Sequence, residues 1–83
     1  MISVSQIKAG RVMLGWSAVE LARRADVSPA TIKKYEAQIG IPNANTRVLS
    51  AVKSVLEEAG IEFTGDPLIN PGVTLRLAEV KKT

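Results

Sequence analysis

The sequence has no cysteine and no histidine among its 83 residues. Disulfides are therefore ruled out, the usual zinc sites cannot form, and a nucleophile paired with histidine is impossible. The carboxylates are few, and no two stand at a spacing that suggests acid–base work. Gly10 and Gly15 lack the lysine–serine signature of a phosphate-binding loop. The expectation is no enzyme, no catalytic residue, no metal and no cofactor. No apolar run approaches the roughly 18 residues of a membrane span. Met1 to Gly10 lacks a basic region followed by an apolar one, so it does not read as a signal peptide. A cysteine-free chain of this kind fits the reducing cytoplasm. Aromatics are scarce as well: Trp16, Tyr35 and Phe63 are the whole set.

What is present suits one small folded unit. The apolar fraction is 46%, normal for a globular chain. The net charge is +3, unevenly spread. Through Lys53, eight basic side chains face three acidic ones, a net +5; from Ser54 onward the balance is −2. A basic N-terminal part suits a polyanion. A merely solvated surface explains the same charge equally well.

The most informative stretch runs from Trp16 to Glu36. It holds two helix starts eleven residues apart. Ser17 can cap a first helix, with Glu20 completing a capping box, and Val19, Leu21, Ala22 and Ala25 follow at helical spacing. Asp26-Val27 interrupts. Ser28 is a second N-cap, with Pro29 at the first helical position, where its missing N–H is harmless. Two short helices with so short a break predict a helix-turn-helix, which can place its second helix in a DNA major groove.

The flanks fill out the architecture. A preceding helix is predicted from Ser3 or Ser5 to Leu14, with Val4, Ile7, Met13 and Leu14 apolar and Gly15 ending it. Residues 37–45 carry glycine, proline and two asparagines and read as a loop. Asn45 can cap a last helix, Thr46 to about Ala59, whose Val48, Leu49, Val52, Val55, Leu56 and Ala59 form the cleanest amphipathic pattern in the chain. Gly60 stops it. Ile61–Thr64 and Val73–Leu77 alternate as strands around turn-rich residues, and Ala78 to Thr83 reads as a polar, frayed end. Trp16 precedes an N-cap, as a hydrophobic staple does; a nucleic-acid stacking platform is the alternative. Tyr35, three after Ile32, should pack its ring inward.

The motif resembles the lambda-repressor-like helix-turn-helix family, also called the Xre or Cro family. Leu14, Gly15, Trp16, Ser17, Leu21, Ala22, Ala25, Val27, Ser28, Thr31, Ile32 and Glu36 match its pattern at the same spacing. Two positions depart from it: Ala18 replaces a glutamine that typically contacts a phosphate, and Asp26 replaces a turn glycine. Aspartate enters the left-handed region more readily than most residues. The fold so implied is mainly α: a compact four-helix lambda-repressor-like domain, residues 1–60, with a short C-terminal two-strand β element, residues 61–83.

The resemblance also implies roles. Arg11 falls near the buried side of the first helix, odd for a charge; in the family such an arginine commonly pairs with the glutamate ending the recognition helix, here Glu36. The family's base-reading positions map to Pro29, Ala30 and Lys34, with Ser28 and Thr31 beside them. Lys34 can donate to guanine O6 or N7, and Pro29 and Ala30 offer apolar contact to a thymine methyl. Ser17, Lys33, Asn43, Asn45 and Arg47 are placed for phosphates. For Lys33 and Lys34 a solvated face is the plain alternative.

The expected function is sequence-specific binding of double-stranded DNA by a small prokaryotic or phage-type, cytoplasmic transcriptional regulator. The rival is a helix-turn-helix turned protein-interaction module, an antiactivator or antitoxin-like subunit docking on another regulatory protein; Ala18, Pro29 and Ala30 supply apolar surface on the DNA face. No membrane role is expected. Two-fold pairing doubles a short site, so a homodimer is expected. Its interface is expected in residues 61–77, chiefly Val73, Leu75 and Leu77, because two short strands leave open edges. An intramolecular hairpin folded against the last helix is the alternative.

Overall fold

The computed structural model describes residues 1–77. The expected polar end, Ala78 to Thr83, lies outside the described residues. Four helices are followed by two strands: α1 Val4–Met13, α2 Ala18–Ala25, α3 Pro29–Glu36, α4 Thr46–Glu58, β1 Ile61–Thr64 and β2 Gly72–Leu75. The mainly α architecture matches the sequence expectation.

Each helix start carries a capping side chain, and each satisfies an amide that the helix itself leaves open. Ser17 Oγ accepts from the Glu20 amide at 3.0 Å and Ser28 Oγ from the Thr31 amide at 3.2 Å. Asn45 Oδ1 accepts from the Arg47 amide at 2.8 Å. The full capping box is at α1: the Gln6 amide donates to Ser3 Oγ, and the Ser3 amide to Gln6 Oε1 at 3.0 Å. The box expected at Ser17 is only half made, because the Glu20 carboxylate turns to Arg23 and Arg24 instead. Gly15 ends the α1 turn at φ 74°, and Asp26 ends α2 at φ 59° in the left-handed region.

The helices enclose a core of Ile2, Ile7, Leu21, Ala22, Ile32, Val52 and Leu56, closed at one end by Ile61 of β1. Burying each of the larger aliphatic chains contributes about 1.5–3 kcal/mol. Two residues expected on apolar sides are not there: Met13 and Val19 are exposed. Each lies at an end of its helix, Met13 last in α1 and Val19 second in α2.

The strands pair antiparallel within the chain, Ile61 opposite Leu75 and Phe63 opposite Val73. All four side chains share one face and pack on the core, while Glu62 and Thr74 point to solvent. Val73 and Leu75, the residues expected to serve a dimer, are half-buried against the chain's own core. β2 stops at Leu75, and Leu77 lies past it, 68% exposed. A lone hairpin is marginal in water, so this one needs its supports. The packing of Ile61 beside Gly10 of α1 is one: a Cβ at Gly10 would stand 3.4 Å from an Ile61 methyl, so β1 lies against α1 there. Gln6 is the other. It is 3% exposed, and its Nε2 donates to the Thr64 and Gly72 carbonyls, both at 3.1 Å.

Candidate nucleic-acid interface

α2 and α3 meet through the turn at Asp26, where the Val27 amide reaches back to the Ala22 carbonyl at 2.9 Å. Leu21, Ala22, Ala25 and Ile32 bury the inner side of the pair. The outer side of α3 then faces solvent: Ser28, Pro29, Ala30, Lys33 and Lys34 are exposed, and Thr31 is half-buried.

α3 is fixed at its far end by charge. Arg11 Nε donates to Glu36 Oε2 at 2.8 Å and Arg11 Nη2 to Glu36 Oε1 at 2.9 Å, a planar fork on a carboxylate. Nη1 donates to the Trp16 carbonyl at 2.9 Å, so the same guanidinium also ties down the start of α2. Trp16 is half-buried against the core beside Val55 and Ala59, with the Arg24 guanidinium 4.3 Å above its ring. A ring so covered is a packing residue, as a staple requires. The Tyr35 ring is buried too.

The cations divide into two groups. Arg11, Arg23, Arg24, Lys53 and Arg76 each contact a carboxylate. Hydrogen bonds from Arg23, then from Arg24, hold the Glu20 carboxyl below its ordinary range, and the same contact raises Arg23. Among the described residues, Lys33, Lys34 and Arg47 form no ion pair; nor does Lys8 on α1. The unneutralised charge of α3 and the start of α4 therefore points outward, toward whatever anion approaches.

The helix-turn-helix family model HTH_3 matches residues 7–46. Residues 7–46 are a lambda-repressor-like helix-turn-helix. That fold is a DNA-binding one. No curated protein matches the chain.

In a helix-turn-helix the second helix of the motif, here α3, is the one that can enter a major groove, with its first residues toward the base edges. Ser28, Pro29, Ala30, Thr31 and Lys34 gather there. Ser28 Oγ and Thr31 Oγ1 lie 2.9 Å apart, so the two hydroxyls occupy each other and one proton remains for an outside acceptor. Pro29 and Ala30 have no side-chain donor or acceptor. The positions expected to meet phosphates are arranged differently from each other. Ser17 and Arg47 are exposed, as are the side chains of Asn43 and Asn45. Two amides expected to meet an anion are already engaged, however: the Asn43 amide by Gln38 Oε1 at 2.7 Å and the Arg47 amide by Asn45 Oδ1. At these positions the side chains remain, not the backbone. Ala18, expected on the outer face, is half-buried against the core. Sequence reasoning missed Gln38, whose amide also reaches the Lys34 carbonyl at 3.4 Å and braces the end of α3; a glutamine two residues past a helix gives no signal of that role.

Proposed function

We propose that the chain is a sequence-specific, DNA-binding transcriptional regulator of a prokaryotic cytoplasm, acting as a homodimer with α3 in the major groove. One observation carries this reading: among the described residues Lys33, Lys34 and Arg47 have no carboxylate, while five other cations do. Unneutralised cations cost little in water and gain by releasing counterions from a phosphate backbone. Lys34 reads a guanine, Pro29 and Ala30 a thymine methyl, and Lys33 and Arg47 fix the register on phosphates. A second copy supplies a second half-site about 34 Å away.

The reading as a protein-interaction module loses one of its three supports, since Ala18 packs inward. Pro29 and Ala30 alone fall far short of the roughly 800 Å² per partner of an ordinary interface. The test is selection of bound fragments from random DNA by the purified protein, followed by a salt titration. Recovery of a two-fold sequence, with affinity falling steeply as salt rises, supports the proposal. Recovery of no common sequence overturns it.

A further inference from the structure

One side chain joins the end of α3 to the loop that leads into α4. Gln38 follows Lys34 by one helical turn, as Lys34 follows Ala30. Its terminal amide is engaged at both ends: Nε2 donates to the Lys34 carbonyl at 3.4 Å, and Oε1 accepts from the Asn43 backbone N–H at 2.7 Å. Both partners select the same orientation. A carbonyl only accepts and an N–H only donates, so the Gln38 amide cannot turn over without losing both bonds. The Lys34 carbonyl is among those that an α-helix leaves open at its end.

The loop has few other ties. The Gly40 carbonyl accepts from the Val4 amide at 2.8 Å, and Pro42 is buried. Among the described residues, the bond to Gln38 is the one hydrogen bond that holds residues 41–44. It fixes the backbone at Asn43 and leaves the Asn43 side chain exposed. That side chain ends in a carboxamide, with two N–H donors and no charge.

We infer that Gln38 is a positioning residue for DNA: it anchors Asn43 to the Lys34 turn of α3, so that the Asn43 carboxamide donates to a backbone phosphate. This rests on the DNA-binding proposal. Phosphate contacts from uncharged side chains fix the register of a protein on the duplex. A segment already ordered in the free protein has less freedom to lose on binding. The Gln38 bond supplies that order from the same helix end that carries Lys34. The phosphate contact and the base contact are therefore set by one element.

The experiment measures Gln38→Met, Asn43→Ala and the double variant of the full chain against the selected sequence and random DNA, over a range of salt. Methionine keeps the length of Gln38 and loses both bonds. Gln38→Met should keep the helical circular dichroism spectrum and bind both DNAs about tenfold more weakly, the size of one hydrogen bond to a charged group. No cation is lost, so the salt slope and the base preference should stay at their wild-type values. Asn43→Ala keeps its backbone N–H and should show the same loss, and the double variant should lose no more than either single one. A brace that only stabilised the fold would weaken binding in the Asn43→Ala background as well. If Gln38→Met does not fold, Gln38→Ala is read in the same way. Wild-type affinity in the Gln38 variant, additive losses in the double variant, or a salt slope lower by about one unit would each overturn the assignment; the last would route the effect through Lys33, Lys34 or Arg47. A wild type that selects no common sequence overturns the DNA proposal and this assignment with it; in the other outcomes the wild type still selects its site.

Discussion

Arg11 and Glu36 meet as a bidentate pair between α1 and α3, with side chains only 16% and 10% exposed. The pair sits where α1, the α2 start and the α3 end converge, and Arg11 also holds the Trp16 carbonyl. Desolvating two charges offsets much of their attraction, so the pair itself adds little net stability. Removing one partner is another matter, because the other charge stays behind. Arg11→Ala should cost about 3–5 kcal/mol, and an apolar double replacement of Arg11 and Glu36 should cost less than either single change. Chemical denaturation of the three variants checks this; an Arg11→Ala midpoint equal to wild type contradicts it.

Asp26 holds φ 59° at the α2–α3 turn. A β-branched residue there meets the full left-handed penalty of about 1–2 kcal/mol, and glycine meets none. Asp26→Val should therefore destabilise by that amount, and Asp26→Gly should match or exceed wild type. Urea midpoints of the two variants should fall on opposite sides of, or at, the wild-type value.

Local chemistry explains what could be read from the sequence. Ser17, Ser28 and Asn45 cap helices because a short polar side chain next to a helical run has one best use, and Gly15 and Asp26 stand where the chain must turn left-handed. Those features place all four helices and the exposed face of α3. The rest depends on partners far along the chain. Gln6 looks like an ordinary surface residue until its acceptors, 58 and 66 positions away, are in place. Alternation in β2 shows an apolar face but not what it packs on; in the fold Val73 and Leu75 are half-buried against the chain's own core. Glu20 fits a capping box by spacing, yet two arginines one turn on outcompete an amide that water can serve.

Gln6→Leu should loosen the hairpin specifically. The substitution keeps most of the volume but leaves the Ser3 amide and the Thr64 and Gly72 carbonyls without their partner. An unsatisfied buried group costs about 1–3 kcal/mol, and water can reach some of these, so a total near 2 kcal/mol is expected. Amide exchange should accelerate across Ile61–Thr64 and Gly72–Leu75, with α2 and α3 protected as before. Uniform acceleration over the whole chain would show instead that the hairpin and helices open as one unit.

Lys33 and Lys34 are adjacent, both exposed and both without a carboxylate among the described residues, so a purely electrostatic account makes them interchangeable. Helix geometry does not. Consecutive residues stand about 100° apart around an α-helix of 3.6 residues per turn, so only one can point along the groove floor while the other leans to its wall. Lys34 lies one turn on from Ala30, and the proposed reading sets Lys34 toward the bases and Lys33 toward the phosphates. Lys34→Ala should therefore cost about 1–3 kcal/mol on the selected sequence and relax preference at one base pair. Lys33→Ala should weaken selected and random DNA alike and lower the salt slope by about one unit. Affinities of both variants for the two DNAs, over a range of salt, separate these outcomes. Equal losses from both variants on both DNAs would mean that α3 contributes charge but no sequence reading.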